Sequence, residues 1–282
     1  MTGTLFVVAT PIGNLEDISL RALRILREVA LIAAEDTRRT GHLLARYGIQ
    51  TPTTSLNAHN EGGKVPALLD RLAAGQSIAL VSDAGTPTLS DPGGLFIRRA
   101  LEAGAGVEAI PGPSVVTALL SISGFKTHQF TFLGFPPNKA TALTAWIEHL
   151  TKEGRPVVFF EAPHRVVATL ERVRSVLGDC HIVVGRELTK AHEEVYRGTV
   201  SGALGRFAEP IGEFSIAIDL GDQQKLIRSE PMSDERVLAE VASLREQTAL
   251  SKRAAVQMAA RRLGLMPNIV YGIVEKHKKS VE

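Results

Sequence analysis

The chain has 282 residues, 44% hydrophobic and 22% charged, with a formal net charge of +2. That length suffices for one large or two medium domains with real cores, and so small a net charge argues neither for nor against a nucleic-acid partner. One cysteine, Cys180, excludes an internal disulfide. The histidines show no paired metal-ligand spacing and no apolar stretch approaches the ~20 residues of a membrane span, so a soluble intracellular protein without a structural metal or a membrane partner is expected.

In chain order, strand-like apolar runs lie near 5–10, 30–35, 77–82, 107–110, 130–135, 156–161, 181–186 and 213–220. Helical patterns near 18–28, 38–47, 63–74, 94–103, 114–122, 139–151 and 164–177 alternate with them, which predicts βα units and largely parallel pairing. The first helix is expected to put Leu20, Leu23 and Leu26 on one face, with Asp17 or Ser19 accepting from its free amides. Pro111-Gly112-Pro113-Ser114 breaks the pattern, and Ser114 is placed to cap a helix starting at Val115. After Asp222 the strand pattern ends. A polar linker leads to a helix with Val237, Val241 and Leu244 on one face, then to helix, tight turn and helix over 251–263, 264–267 and 268–276. The domains predicted are an α/β lobe over 1–112, a second over 113–222 and a helical domain over 223–282.

Charge follows this division. From Arg245 to Lys279, eight Lys or Arg against two acids give +6, so the rest of the chain is about −4. Such a tail offers the sequence-independent part of RNA affinity, a solvated charged helix being the plain alternative.

Several apolar runs break abruptly into turn-forming residues: Thr10-Pro11-Ile12-Gly13-Asn14, Glu35-Asp36-Thr37-Arg38-Arg39, Ser82-Asp83-Ala84-Gly85-Thr86-Pro87, Glu161-Ala162-Pro163-His164-Arg165, and the run ending at Lys190. Ligands of open α/β sheets bind just beyond the strands' carboxyl ends, so together these breaks describe a cleft, although any one alone could be strand punctuation. Neither G-x-x-x-x-G-K-[ST] nor G-x-G-x-x-G is present. Pro11 has no amide to donate and Ile12 is bulky, which suits an apolar or stacked ligand part better than a phosphate. In the loop 82–94, Asp83 at the strand tip is expected to face the ligand, and Asp91 before Pro92 to cap the next helix.

VATPIGNLEDISLRA, AAEDTRRT, SDAGTPTLSDPG, PGPS, FFEAPHR and RELTKAHEEVYRG, in this order, make the chain resemble the RsmI-type 16S ribosomal RNA ribose 2′-O-methyltransferases, a branch of the tetrapyrrole methylase fold. The resemblance covers nearly the whole chain. It implies a two-lobed, tetrapyrrole-methylase-like α/β fold (class III AdoMet methyltransferase) with S-adenosylmethionine (AdoMet) in the inter-lobe cleft, plus a small C-terminal helical domain. It also implies a cytoplasmic homodimer whose substrate is a cytidine ribose of 16S ribosomal RNA in the small ribosomal subunit. Carried over by position, the cofactor contacts would be Pro11, Ile12, Gly13, Asp83, Thr86, Ser114, Val115, Ala162, Leu188 and Ser215.

Methyl transfer is an in-line displacement in which the enzyme supplies orientation and helps remove the hydroxyl proton. Candidates at the cleft edges are Glu35, Asp36, His59, Glu61, Glu161, His164, Lys190 and His192. Glu35, Asp36 and Lys190 are favoured as catalytic, and are expected to meet across the cleft. Arg38, Arg39, Arg165 and Arg186 flank the same edges and, with Arg261 and Arg262 of the tail, are the expected RNA contacts, since a guanidinium binds phosphate or stacks on an unpaired base. The rival readings are a tetrapyrrole methyltransferase on the same fold and a non-catalytic DNA-binding regulator using the C-terminal helices.

Overall fold

A parallel sheet uses up the first 110 residues. The computed structural model describes residues 2–221, 234–248, 251–263 and 267–281, which fall into two compact units, Met1–Leu220 and Gly221–Glu282. The first sheet contains β1 (Thr4–Val8), β2 (Leu31–Ala34), β3 (Thr53–Ser55), β4 (Ile78–Val81) and β5 (Gly106–Ile110). Their order is β3-β2-β4-β1-β5, with every pair parallel. β2 and β4, reading LIAA and IALV, are buried at every position, as strands covered on both faces must be. Helices α1 (Leu20–Glu28) and α2 (Thr37–Arg46) pack on one face, α3 (Glu61–Ala73) and α4 (Gly94–Glu102) on the other.

Ser19 caps α1, its Oγ accepting the Ala22 amide at 3.1 Å. The buried arc is Ala22, Leu23, Ile25 and Leu26, while Leu20 is 85% exposed, contrary to the face expected for it. At 100° per residue Leu20 lies about 140° from the centre of that arc.

The second sheet holds β6 (Thr131–Phe132), β7 (Val157–Glu161), β8 (His181–Arg186), β9 (Glu194–Thr199) and β10 (Phe214–Ile218), in the order β6-β7-β10-β8-β9. Only β6 and β7 pair in parallel. β10 runs antiparallel between β7 and β8, and β9 antiparallel beside β8. Largely parallel pairing therefore describes the first sheet and fails in the second, because no crossover helix separates β8 from β9 and β10 enters the gap from the opposite end. Alternate residues serve two cores. Val157, Phe159, Ile182 and Val184 face α6 (Ala140–Leu150), α7 (Pro163–Leu177) and α8 (Val200–Arg206), whereas Val158, Val183 and Ala217 face α5 (Val115–Ser121). The chain thus passes from one sheet to the other between Ile110 and Val115. β3, β9 and α8 were absent from the expected elements.

In the second unit α9 (Asp234–Thr248), α10 (Lys252–Leu263) and α11 (Pro267–Val281) share a core that includes Val237, Val241, Leu244, Ala255, Val256 and Val270. The expected linker, after Asp222 and up to 233, and residues 264–266 of the expected turn lie outside the described residues.

Candidate active site

Loops following β1, β2 and β4 of the first sheet, together with those following β7 and β8 of the second and the start of β10, enclose a cavity of about 390 Å³. Small-molecule sites occupy roughly 300–1,000 Å³. Among the residues expected to hold a cofactor, Ile12, Asp83, Thr86, Ser114, Val115, Ala162, Leu188 and Ser215 line it. Pro11 and Gly13 do not. Gly13 forms the seam between the lobes instead: a Cβ there would lie 2.6 Å from Lys190 Cγ, 2.6 Å from Thr189 Oγ1 and 2.8 Å from the Leu188 carbonyl. The next amide, of Asn14, donates to Thr189 Oγ1 at 3.0 Å. Thr10 and Gly85 exchange amide–carbonyl bonds of 2.8 and 3.0 Å, pinning the loop after β1 to the loop after β4.

Two leucines reach the cavity through unusual backbone. Leu89 sits between Thr88 (φ 74°) and Ser90 (φ 71°), and Leu188 between Glu187 (φ 51°) and Thr189 (φ 65°). Left-handed backbone costs a non-glycine residue about 1 kcal/mol or more and gathers at functional sites.

Five acids line the cavity (Glu35, Asp83, Asp91, Glu161 and Glu213) against two bases, Arg39 and Lys190, a balance that suits a cationic ligand. Glu35 Oε2 accepts the Asp83 amide at 3.3 Å. Burial pushes the Glu35 carboxyl above the usual range, and the Asp83 and Asp36 carboxylates add to the rise. Burial likewise pushes Asp91 up to about 6, although the Ser82 hydroxyl donates to it. The expectation that Asp91 caps the next helix is corrected: Gly93 occupies the cap of α4 at φ 113°, and Asp91 lines the cavity.

Asp36 is the N-cap of α2, accepting the Arg38 amide at 2.8 Å and the Arg38 guanidinium at 3.1 and 2.7 Å. Arg38 holds its carboxyl well below the usual range. Asp36 does not line the cavity; it caps α2 and is tied to Arg38. Lys190 Nζ lies 3.0 Å from Glu187 Oε1 and 3.0 Å from Glu213 Oε2. Burial alone would lower the Lys190 pKa, but those two carboxylates outweigh it and raise it, so at neutral pH the group is an ammonium. Glu35 and Lys190 do line one cavity from different lobes, yet the acids that hold Lys190 are Glu187 and Glu213, not Glu35 or Asp36.

Of the arginines, Arg39 lines the cavity, 3.4 Å from Asp83 Oδ2. Arg165 is engaged internally, bonding the Pro136 and Pro137 carbonyls at 2.9 and 3.0 Å and also Asn138. Arg186 pairs with Glu194 at 3.1 Å while its Nε is buried without a partner among the described residues. Neither offers a free fork to a phosphate. Arg261 and Arg262 fall within α10, but their side chains lie outside the described residues. Of the remaining edge candidates only Glu161 lines the cavity, its fully buried carboxylate accepting the Ala162 amide at 2.9 Å and the Thr169 hydroxyl at 2.6 Å. Sequence reasoning missed Leu89, Phe135, Phe160 and Glu213 as lining residues. The Gly134-Phe135-Pro136-Pro137 turn was the available signal for one of them.

A family profile described as Tetrapyrrole (Corrin/Porphyrin) Methylases matches residues 4–203. The chain is similar to proteins named ribosomal RNA small subunit methyltransferase I. It is 48% identical over 221 residues to that of Xylella fastidiosa, covering 77% of this chain and 81% of the relative. It is 38% identical over 278 residues to that of Haemophilus influenzae, covering 96% of each. Among solved structures it resembles a diphthine synthase (TM-score 0.61, 17% identity, 77% of this chain and 90% of that one). It also resembles a uroporphyrin-III-C-methyltransferase from Thermus thermophilus (TM-score 0.56, 16% identity, 80% and 96%). At these identities the structures speak for the fold alone.

Proposed function

The chain belongs to the tetrapyrrole (corrin/porphyrin) methylase family, grouping with the ribosomal RNA small subunit methyltransferase I relatives, and from that premise we propose that it methylates 16S ribosomal RNA of the small subunit with AdoMet, at the 2′-hydroxyl of a cytidine ribose in the decoding region. The end-to-end similarity to the Haemophilus influenzae protein carries this reading, because it extends through the C-terminal helices as well as both lobes. The cavity supports the cofactor. It has an excess of carboxylates for a sulfonium and an ammonium, apolar walls at Ile12, Leu188 and Phe160 for an adenine and a methionine chain, and no phosphate loop. When bound, AdoMet supplies a methyl carbon activated by positive sulfur.

The chain's own groups orient and deprotonate. Glu35 and Asp91, whose raised pKa values bring them toward neutrality, are the carboxylates suited to take the hydroxyl proton. Lys190, kept charged by two acids, fixes the second-lobe loop at the cavity wall and presents a cation there. Arg39 stands exposed beside the first-lobe rim for a phosphate, and the basic helices after Asp222 supply salt-sensitive affinity for RNA. The same reading makes the protein a cytoplasmic homodimer.

The test is transfer of a labelled methyl from AdoMet to small-subunit particles from cells lacking this protein, followed by digestion to nucleosides and mass spectrometry. 2′-O-methylcytidine is the expected product. Label on a cytosine base would overturn the ribose assignment, and unlabelled RNA would overturn the function.

A further inference from the structure

Phe135 stands 56% exposed at the mouth of the cavity, and its loop is built to keep it there. Gly134, at φ 62°, gives its carbonyl to the Phe160 amide at 2.8 Å, anchoring the near side of the loop to β7. Pro136 and Pro137 stiffen the far side, and Arg165 bonds both of their carbonyls. Behind the ring, Phe160 packs edge-on with centroids 5.6 Å apart and is itself backed by Phe132 at 5.0 Å. So much rigid support for an exposed phenylalanine does nothing for the core, since apolar surface left in water earns no burial energy. Leu89 repeats the pattern from the other lobe. It is 45% exposed and is carried between two left-handed residues. The two rims meet here, because a Cβ on Gly134 would lie 3.1 Å from Ser90 Oγ, leaving Leu89 and Phe135 one residue away on either side.

Resting on the proposed function, we infer that Phe135 and Leu89 form a subsite for the face of one unpaired base, that of the nucleotide whose ribose is methylated. An open aromatic face on a fixed backing is how single-stranded bases are bound, and a base still inside a duplex has no face to offer. Exposure separates this ring from the cavity walls: a small molecule enclosed within meets buried groups such as Ile12 and Leu188, whereas Phe135 faces what arrives from outside. Arg39 on the same cavity is placed to hold the backbone of that nucleotide. Phe135 is thus a positioning and binding residue that brings the ribose hydroxyl to the cavity.

The experiment compares wild type, Phe135→Ala, Phe135→Leu and Phe135→Trp for AdoMet affinity by calorimetry and for methylation of small-subunit particles over a range of particle concentrations. Phe135→Ala should raise the half-saturating particle concentration roughly 5- to 150-fold, the range spanned by stacking one base on an aromatic ring, with AdoMet affinity within about two-fold of wild type. Phe135→Trp should restore it and Phe135→Leu should not. Wild-type behaviour of Phe135→Ala, rescue by leucine as complete as by tryptophan, or an equal loss of AdoMet affinity would each overturn the inference. If wild type methylates no RNA, the proposed function has failed instead. The subsite is then read from binding of a short unpaired RNA to wild type and Phe135→Trp against Phe135→Ala, where equal affinities overturn it.

Discussion

Asp91 holds its carboxyl at a pKa of about 6 against an ordinary 3.8, and burial is the main cause. The folded protein therefore favours the neutral form. That contribution is fully present below the ordinary carboxylate pKa and lost as pH rises through 6, so at neutral pH the charged group destabilises the fold. The whole shift would correspond to about 3 kcal/mol, but the group is only half-buried and ~1 kcal/mol is a fairer figure. Asp91→Asn should then raise Tm by about 2–4 °C at pH 7.5 and leave it unchanged near pH 4, as calorimetry at the two pH values would show. An equal change at both would mean the carboxylate charge is not the cause. Glu35 and Asp36 are neighbours with opposite expected behaviour. Glu35→Gln should slow single-turnover methyl transfer at saturating AdoMet ~10²–10⁴-fold, as for loss of a positioned base. Asp36→Asn should stay within a few-fold of wild type, because asparagine caps a helix about as well as aspartate.

Elements meet at Gly13. Its missing side chain admits Lys190 and the Leu188 carbonyl, and the latter, being backbone, cannot swing aside. Gly13→Ala should therefore leave helix content unchanged by circular dichroism but weaken AdoMet binding at least ten-fold by parting the two lobes along their seam; full affinity would show that the seam tolerates the extra atom. Three of the strands behind the cavity were legible in sequence because 31–34, 78–81 and 157–160 are unbroken apolar runs. β3, reading Thr-Thr-Ser, and β9, reading EVYRGT, lie at sheet edges with no buried run, so they left no periodic trace. Nor does an apolar run carry a direction, which is why the antiparallel insertion of β10 was invisible. Most of the cleft was readable from turn residues following strands. The burial of Asp91 and the exposure of Phe135 were not, since both are decided by which distant loop closes against them.

At the scale of the whole molecule, the C-terminal helices own a core, Val237 through Val270, separate from those of residues 2–221. Deleting 223–282 should thus leave AdoMet binding measurable while cutting methylation of small-subunit particles severely, and should flatten the dependence of activity on salt. A truncated protein that is folded and fully active would remove RNA docking from the tail. The strand order of the second sheet also sets a timetable. All five strands of the first sheet are synthesised by Ile110 and can pair while the chain is still growing, but β10, at Phe214–Ile218, occupies the middle of the second sheet, between strands made earlier. Until it arrives, β7 and β8 have no neighbour in common. Because Ser215 of that same strand also lines the cavity, closing the second sheet and completing the site are one late event, and a nascent chain has no finished site to fill before that strand is home.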